Sequence, residues 1–400
     1  MAVPASISGF SPDSTRIRFT LRNDREQSNS IWEIRVDGTD LHPVLPGWNV
    51  AGFQRPIWSP DGRYYLVLTN NNNMLRGGNI WALQESNAAF RKYSSRLFQL
   101  TAGPMLFDGM TWSPDGKKLF VEGLQHRGEL IRYDAQHRGF VPFMSGIFAT
   151  GVSFSRDSKW VAYVAYPEGT LWRSRIDGSE RLQLTNAPVF AALPRWSPDS
   201  SQIAFMDIQT GPPWKILFIS AQGGAAQEML AENLNQLDPV WSPDGKQMVF
   251  GRRPMDNSTI QLLDLNSKQV SIIPGSQGLY SPRWSPDGRY LAALSSTGGK
   301  IVIFDFQKQT WSDWVSGPGL YGYPTWSRDG KYLYFENALR DGYYRIQLGQ
   351  TRPELVVDLK DIHQFQSNFG SWSDITPDGS PLFVRDLSTD EIYALDLDLP

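Results

Sequence analysis

Cysteine is absent from the 400 residues. That excludes a disulfide framework, a thiolate nucleophile and a Cys-ligated zinc. Histidine is scarce, with four residues at His42, His126, His137 and His363. A metal site needs convergent ligands, and only His126 and His137 fall close together in the chain, so no metal site is expected. Charge of either sign is not in excess: 38 Lys and Arg stand against 41 Asp and Glu, a net charge of −3. A dedicated nucleic-acid binder needs a basic face to neutralise phosphates, so none is expected here. No apolar run approaches the ~18 residues that span a bilayer. The first residues, Met1 to Ala5, lack the basic stretch and apolar core of a secretory signal. There is no Gly-x-Ser-x-Gly elbow for a serine hydrolase.

What the chain does contain is one five-residue pattern, nine times over. It reads Phe10-Ser-Pro-Asp-Ser14, Trp58-Ser-Pro-Asp-Gly62, Trp112-Ser-Pro-Asp-Gly116, Phe154-Ser-Arg-Asp-Ser158, Trp196-Ser-Pro-Asp-Ser200, Trp241-Ser-Pro-Asp-Gly245, Trp284-Ser-Pro-Asp-Gly288, Trp326-Ser-Arg-Asp-Gly330 and a worn Ile375-Thr-Pro-Asp-Gly379. From Ser11 to Thr376 the copies recur every 42 to 54 residues. A period in the forties with four short strand-like runs is the mark of a β-propeller.

The pattern has a local cause. Ser, Pro, Asp and Gly suit successive positions of a type I turn, with Pro presetting φ at the second. The Asp side chain can accept backbone N–H groups of the turn, and the aromatic ahead of it is large enough to pack between blades. Asp37-Gly38 and Asp177-Gly178 are further hairpin signals. The expected architecture is all-β: a single β-propeller of four-stranded antiparallel blades over residues 1–400. The repeats run near 5–50, 51–104, 105–147, 148–188, 189–233, 234–276, 277–318, 319–361 and 362–400. Nine motifs give nine blades, with eight and a stray unit as the alternative. The last repeat lacks an outermost strand, so closure is expected by pairing of the N- and C-terminal segments, with Met1 to Ser8 as the spare strand. The longest repeat is the second, with an insertion around Asn70 to Asn73 and Gln84 to Leu97; a solvated loop explains it best, a partner-docking loop being the sharper alternative.

The Trp-Ser-Pro-Asp-Gly hairpins resemble the WD40-like Pro-Asp repeats of the TolB-type propellers over nearly the whole chain. Longer stretches are similar to the C-terminal propeller region of bacterial winged-helix, CadC-like transcriptional regulators: Gly169 to Ser174 with Arg181 to Thr185, Arg127 to Asp134, and Glu391 to Asp396. That resemblance implies a sensor or interaction module and is compatible with an extracytoplasmic location. No winged helix precedes Phe10, so DNA binding is not carried over.

Candidate site residues come from the loops that lead into each motif. An aromatic recurs about six residues before the motif hydroxyl: Phe53, Phe107, Phe148, Phe190, Tyr280, Tyr321 and Phe369. Either each caps its own blade, or together they form a collar at one mouth of the channel, open at the Asn235–Asp238 gap. Arg55, Arg195 and Arg283 stand beside these loops and could hold a carboxylate. The functional expectation is a non-catalytic, monomeric propeller that binds a protein, a small molecule or a peptide, without cofactor. The alternatives are a metal-dependent lyase or lactonase at the channel mouth, and a structural repeat array that binds nothing.

Overall fold

The computed structural model describes residues 3–23, 28–48, 53–70, 77–85, 96–103, 105–208, 213–252 and 258–397. The insertion residues 71–76 and 86–95 lie outside the described residues. Strand dominates throughout; among the described residues the one helical element is a 3₁₀ turn at Ala338–Arg340. The all-β propeller of four-stranded antiparallel blades expected from the repeats is what the structure shows. The chain divides into two compact units, Met1–Arg127 with Ser388–Pro400, and Gly128–Leu387.

The first unit holds three strand sets. The first is Val3–Phe10, Arg16–Asn23, Ser28–Arg35 and His42–Pro43; the second is Phe53–Trp58, Tyr64–Asn70, Gly78–Gln84 and Arg96–Gln99. The third has Leu106–Trp112 and Lys118–Gln125, and its next strand is Thr389–Asp396 from the far end of the chain. Arg18 is buried between the first two sets. It donates to Glu33 and Glu85, both at 2.7 Å, and lies over the Trp58 ring.

The second unit holds six four-stranded blades, here A to F. Blade B is Ala149–Phe154, Trp160–Ala165, Thr170–Arg175 and Leu182–Gln183. Blade C begins with Ala191–Trp196, D with Leu237–Trp241, E with Leu279–Trp284 and F with Tyr321–Trp326, each followed by three strands in order. Blade A is composite: Ser373–Ile375 and Pro381–Asp386 are its inner strands, and Gly128–Asp134 and Gly139–Pro142 its outer ones. The inner strands contact one another from B through F to A, and A meets B again, so the six blades close on themselves.

Nine motifs thus supply nine strand sets, but repeats three and nine exchange halves. The inner half of repeat three pairs with Thr389–Asp396, and its outer half pairs with Pro381–Asp386. The expected closing strand is not supplied by residues 1–8. Val3–Phe10 is instead the innermost strand of its own blade, paired to Arg16–Asn23. The reason is that every repeat offers the same hairpin chemistry, so local pattern does not decide which third strand a second strand takes.

In blades C, D, E and A the second strand is covered on both faces by neighbouring blades. It therefore reads as a continuous apolar run: Ile203 to Met206, Met248 to Phe250, Leu291 to Leu294 and Leu382 to Val384 are all buried. The turn chemistry is as expected. In all nine motifs the hydroxyl donates to the Asp Oδ1, at 2.5–2.6 Å for the eight Ser copies. In the Ser285 copy the hydroxyl then accepts the Tyr290 N–H at 2.8 Å, and Asp287 accepts the Arg289 N–H at 3.0 Å. The Ser59 hydroxyl, with Arg63, holds the Asp61 carboxyl down to about 2. The motif Asp residues are thus used by their own turns.

The motif tryptophan bonds one blade to the next. Trp196 Nε1 donates to Ser153 O at 3.1 Å, Trp241 Nε1 to Arg195 O at 3.2 Å, and Trp326 Nε1 to Arg283 O at 3.0 Å. Each acceptor stands directly before the motif aromatic of the preceding blade. Trp284 departs from this: it bonds its own turn at Gly288 O and stacks on Phe306 at 5.0 Å.

Candidate binding site in the channel of the six-bladed unit

Each inner strand of blades B to F carries a bulge, seen as a register shift against its second strand. The residue three before the motif aromatic takes positive φ: Gly151, Leu193, Asp238, Ser281 and Tyr323. For the four that are not glycine this conformation costs roughly 1–2 kcal/mol each, so the packed ring must hold them. Bulges re-aim side chains. Here the residues one before the aromatic line the central channel: Ser153, Arg195, Val240, Arg283, Thr325 and Asp374.

One end of the channel is filled by aromatics. Phe365 packs edge-on against Phe148 at 4.8 Å and meets Tyr166 at 4.9 Å. Phe369 meets Trp214 at 5.8 Å, and its carbonyl accepts the Tyr323 hydroxyl at 2.7 Å. Burial pushes the Tyr166 hydroxyl up to about 12. A cavity of only about 30 Å³ is left there. The other end, where the Ser-Pro-Asp turns sit, opens into a cavity of about 530 Å³ lined by all six blades.

At the base of that cavity lies a buried ion cluster. Asp238 of blade D accepts from Arg283 Nη1 at 2.8 Å, from Arg195 Nη2 at 3.4 Å and from the Ser281 hydroxyl at 2.8 Å. Burial pushes the Asp238 carboxyl up, but Arg283 and Arg195 together hold it below its ordinary value. The Arg195 guanidinium is lowered by burial and by Arg283 beside it. Asp374 of blade A is raised, by burial first, against the pull of Arg195. Burial also pushes the Tyr323 hydroxyl far above its ordinary value.

The two motifs that carry Arg in place of Pro reach across the mouth. Arg328 of blade F bonds the turn of blade B through Arg156 O at 3.0 Å, Ser155 O at 3.0 Å and Ser158 Oγ at 2.6 Å. Arg156 of blade B donates to Pro243 O of blade D at 3.3 Å. These departures staple alternate blades together. Restoring the motif with Arg328→Pro presets the turn but removes three bonds from a cation. Because the side chain is exposed, a net loss of about 1 kcal/mol is expected. Amide hydrogen exchange at Ser155 to Ser158 should quicken in that variant, and unchanged exchange would show that the staple holds nothing.

The aromatics singled out from spacing part company. Phe148, Phe190 and Phe369 gather at the filled end, joined by Tyr166, Trp214, Phe365 and Trp372, which the spacing did not mark. Phe190 lies on Gly169, where an added Cβ would stand 2.4 Å from its ring. Tyr321 is buried edge-on against Phe335 at 5.5 Å in the core between blades E and F, and Tyr280 packs on the same cluster. Phe107 is buried in the first unit. The side chains of Phe53 and Arg55 lie outside the described residues. Arg195, Arg283 and Asp238, in contrast, are brought together. Asn235 and Gln236 serve the backbone, accepting from Trp214 N and Ile216 N.

No family model matches the chain. It is 28% identical over 225 residues to a protein TolB homolog of Chlorobium chlorochromatii, which covers 54% of this chain and 48% of that protein. It is 28% identical over 149 residues to the uncharacterized peptidase YuxL of Bacillus subtilis, covering 37% of this chain and 22% of that protein. The chain thus spans half or less of these two curated relatives. A solved TolB-type structure from Agrobacterium tumefaciens superposes with a TM-score of 0.54 at 20% identity, covering 66% of this chain and 99% of its own. That share of the chain is about the size of the six-bladed unit. Blade architecture and relatives together make the fold a TolB-like β-propeller. No helix among the described residues is long and apolar enough to cross a membrane.

Proposed function

We propose that the chain is a non-catalytic binding module whose recognition site is the open mouth of the six-bladed channel. One observation carries the reading: the channel is filled with aromatics at one end and opens at the other into about 530 Å³. A concave site with a few convergent polar groups is what ligand recognition uses, and Arg195, Arg283 and Asp374 supply them. The TolB-type relatives support an interaction module, and a sensory role is the finer form of the same reading. The peptidase-named relative lends no active site, since the Gly-x-Ser-x-Gly elbow is missing from this chain. The lyase or lactonase reading would use the same mouth. Among the described residues no group of three His, Cys, Asp or Glu could hold its metal.

The absence of cysteine gives a clean test. Thr325→Cys, labelled with a bulky maleimide, should block the cavity, while labelled Lys308→Cys on the outside should not. Binding of compounds or peptides selected on the native protein should survive in unlabelled Thr325→Cys and in labelled Lys308→Cys, and be lost only when Thr325→Cys carries the label. Binding that survives the blocked mouth would place recognition elsewhere.

A further inference from the structure

We propose that this channel takes a zwitterionic small molecule, its carboxylate on Arg195 and Arg283 and its ammonium on Asp374. The inference rests on the binding-module reading and names the class of ligand. It comes from where the charges fall around the ring. Arg195 and Arg283 stand on blades C and E, on either side of Asp238 on blade D. Two cations share one carboxylate there, which leaves that wall a net positive charge. Each guanidinium has five donors in a planar fork that matches a carboxylate. Arg195 spends Nη1 on Pro194 O and Nη2 on Asp238, and Arg283 spends Nη1 on Pro282 O and Asp238.

Asp374 stands on blade A, opposite D in a ring of six, and lines the same cavity. It accepts its neighbour's Ile375 N–H at 2.8 Å and the Thr325 hydroxyl. Among the described residues no lysine, arginine or histidine nitrogen is within ion-pair distance of it. Its carboxyl is pushed up by burial, against a weaker pull from Arg195 and Arg283. The arginines thus pair at close range with Asp238 alone, and among the described residues Asp374 faces them with no cation at ion-pair distance. A lone carboxylate in the cavity would answer the arginines and leave Asp374 facing another anion. A lone amine would do the reverse. A molecule with both charges satisfies both walls. Trp241 and Trp326 also line the cavity and add apolar surface to it.

The test is isothermal titration calorimetry on the full chain with γ-aminobutyrate and ε-aminocaproate, using caproate and hexylamine as single-charge controls. At least one amino acid should bind ~10-fold or more tightly than either control. Asp374→Asn, nearly isosteric, should bring ε-aminocaproate down to the affinity of caproate. Arg195→Gln, which leaves Arg283 to pair Asp238, should bring it down to that of hexylamine. Equal binding of all four probes, no binding at millimolar concentration, or an unchanged ratio in Asp374→Asn each overturns the proposal. The ligand series on the native protein decides the matter even if a variant fails to fold. Failure of the zwitterion alone is distinguishable from failure of the site: probes that bind equally but are shut out by the Thr325→Cys label keep the mouth, and probes indifferent to the label remove it.

Discussion

Asp238→Asn is expected to lower the melting temperature by roughly 6–20 °C, more than any other single polar substitution in the six-bladed unit. The side chains of Asp238 and Arg283 are 11% and 8% exposed, and Arg195 is little more open at 16%. Removing the shared carboxylate leaves two neighbouring guanidiniums buried without an anion. Breaking a buried pair in this way costs about 3–5 kcal/mol, and each kcal/mol moves the midpoint of a unit this size by roughly 2–4 °C. The pH dependence gives a second handle. The folded Asp238 carboxyl sits below its ordinary value of 3.8 despite its burial, because of Arg283 and Arg195. A group whose pKa is depressed on folding stabilises above the unfolded pKa and loses that contribution as pH falls through the folded one. The native protein should therefore hold this stability at neutral pH and lose it below about pH 4. The Asn variant should lack that part of the acid limb. Thermal scans from neutral pH into the acid range would show it, and an unshifted midpoint at pH 7 would mean that the cluster is solvated and worth little.

This cluster also shows how far the sequence could be read. Arg195, Arg283 and Asp238 were legible as candidates because each stands beside a loop leading into a motif. Their convergence was not legible, since it depends on bulges that turn alternate backbone positions into the channel. Asp374 could have been found by the same signal as the arginines. It occupies the position before the motif aromatic, where a charge on an inner strand is out of place unless it faces a cavity. It was hidden by the worn Ile375 copy, which lacks the aromatic that marks the others. The aromatic spacing misled in part for an opposite reason. A residue six before the motif always enters a blade, and whether it meets the channel or the next blade depends on its neighbours. Tyr321 meets Phe335, while Phe369 meets Trp214. The turns themselves were fully legible, because their hydrogen bonds close within five residues.

The exchange of halves between repeats three and nine makes the sharpest prediction about the fold. Residues 128–387, excised, should fold alone with one cooperative transition and strand-rich circular dichroism. Residues 128–372 should not fold. Both fragments keep every strand of blades B to F, and they differ in the inner half of blade A. That half pairs Pro381–Asp386 to Gly128–Asp134 and buries Leu382, Phe383 and Val384 to 1% exposure or less. Losing large buried side chains costs about 2–5 kcal/mol each, so three of them approach or exceed the whole stability of a typical domain, about 5–15 kcal/mol. The loss would also open an edge on Gly128–Asp134 and uncover the face of blade F that packs against the lost strands. Among the described residues the strand Thr389–Asp396, in contrast, pairs with Lys118–Gln125 alone, and Arg127 N–H donates to Ser388 Oγ at 3.2 Å within the first unit. Cutting after Leu387 therefore leaves every described strand pair of the second unit intact. If the longer fragment is also unfolded, the six blades do not form a self-sufficient ring and the channel site depends on the rest of the chain. If the shorter one folds, the composite blade is not what closes the ring.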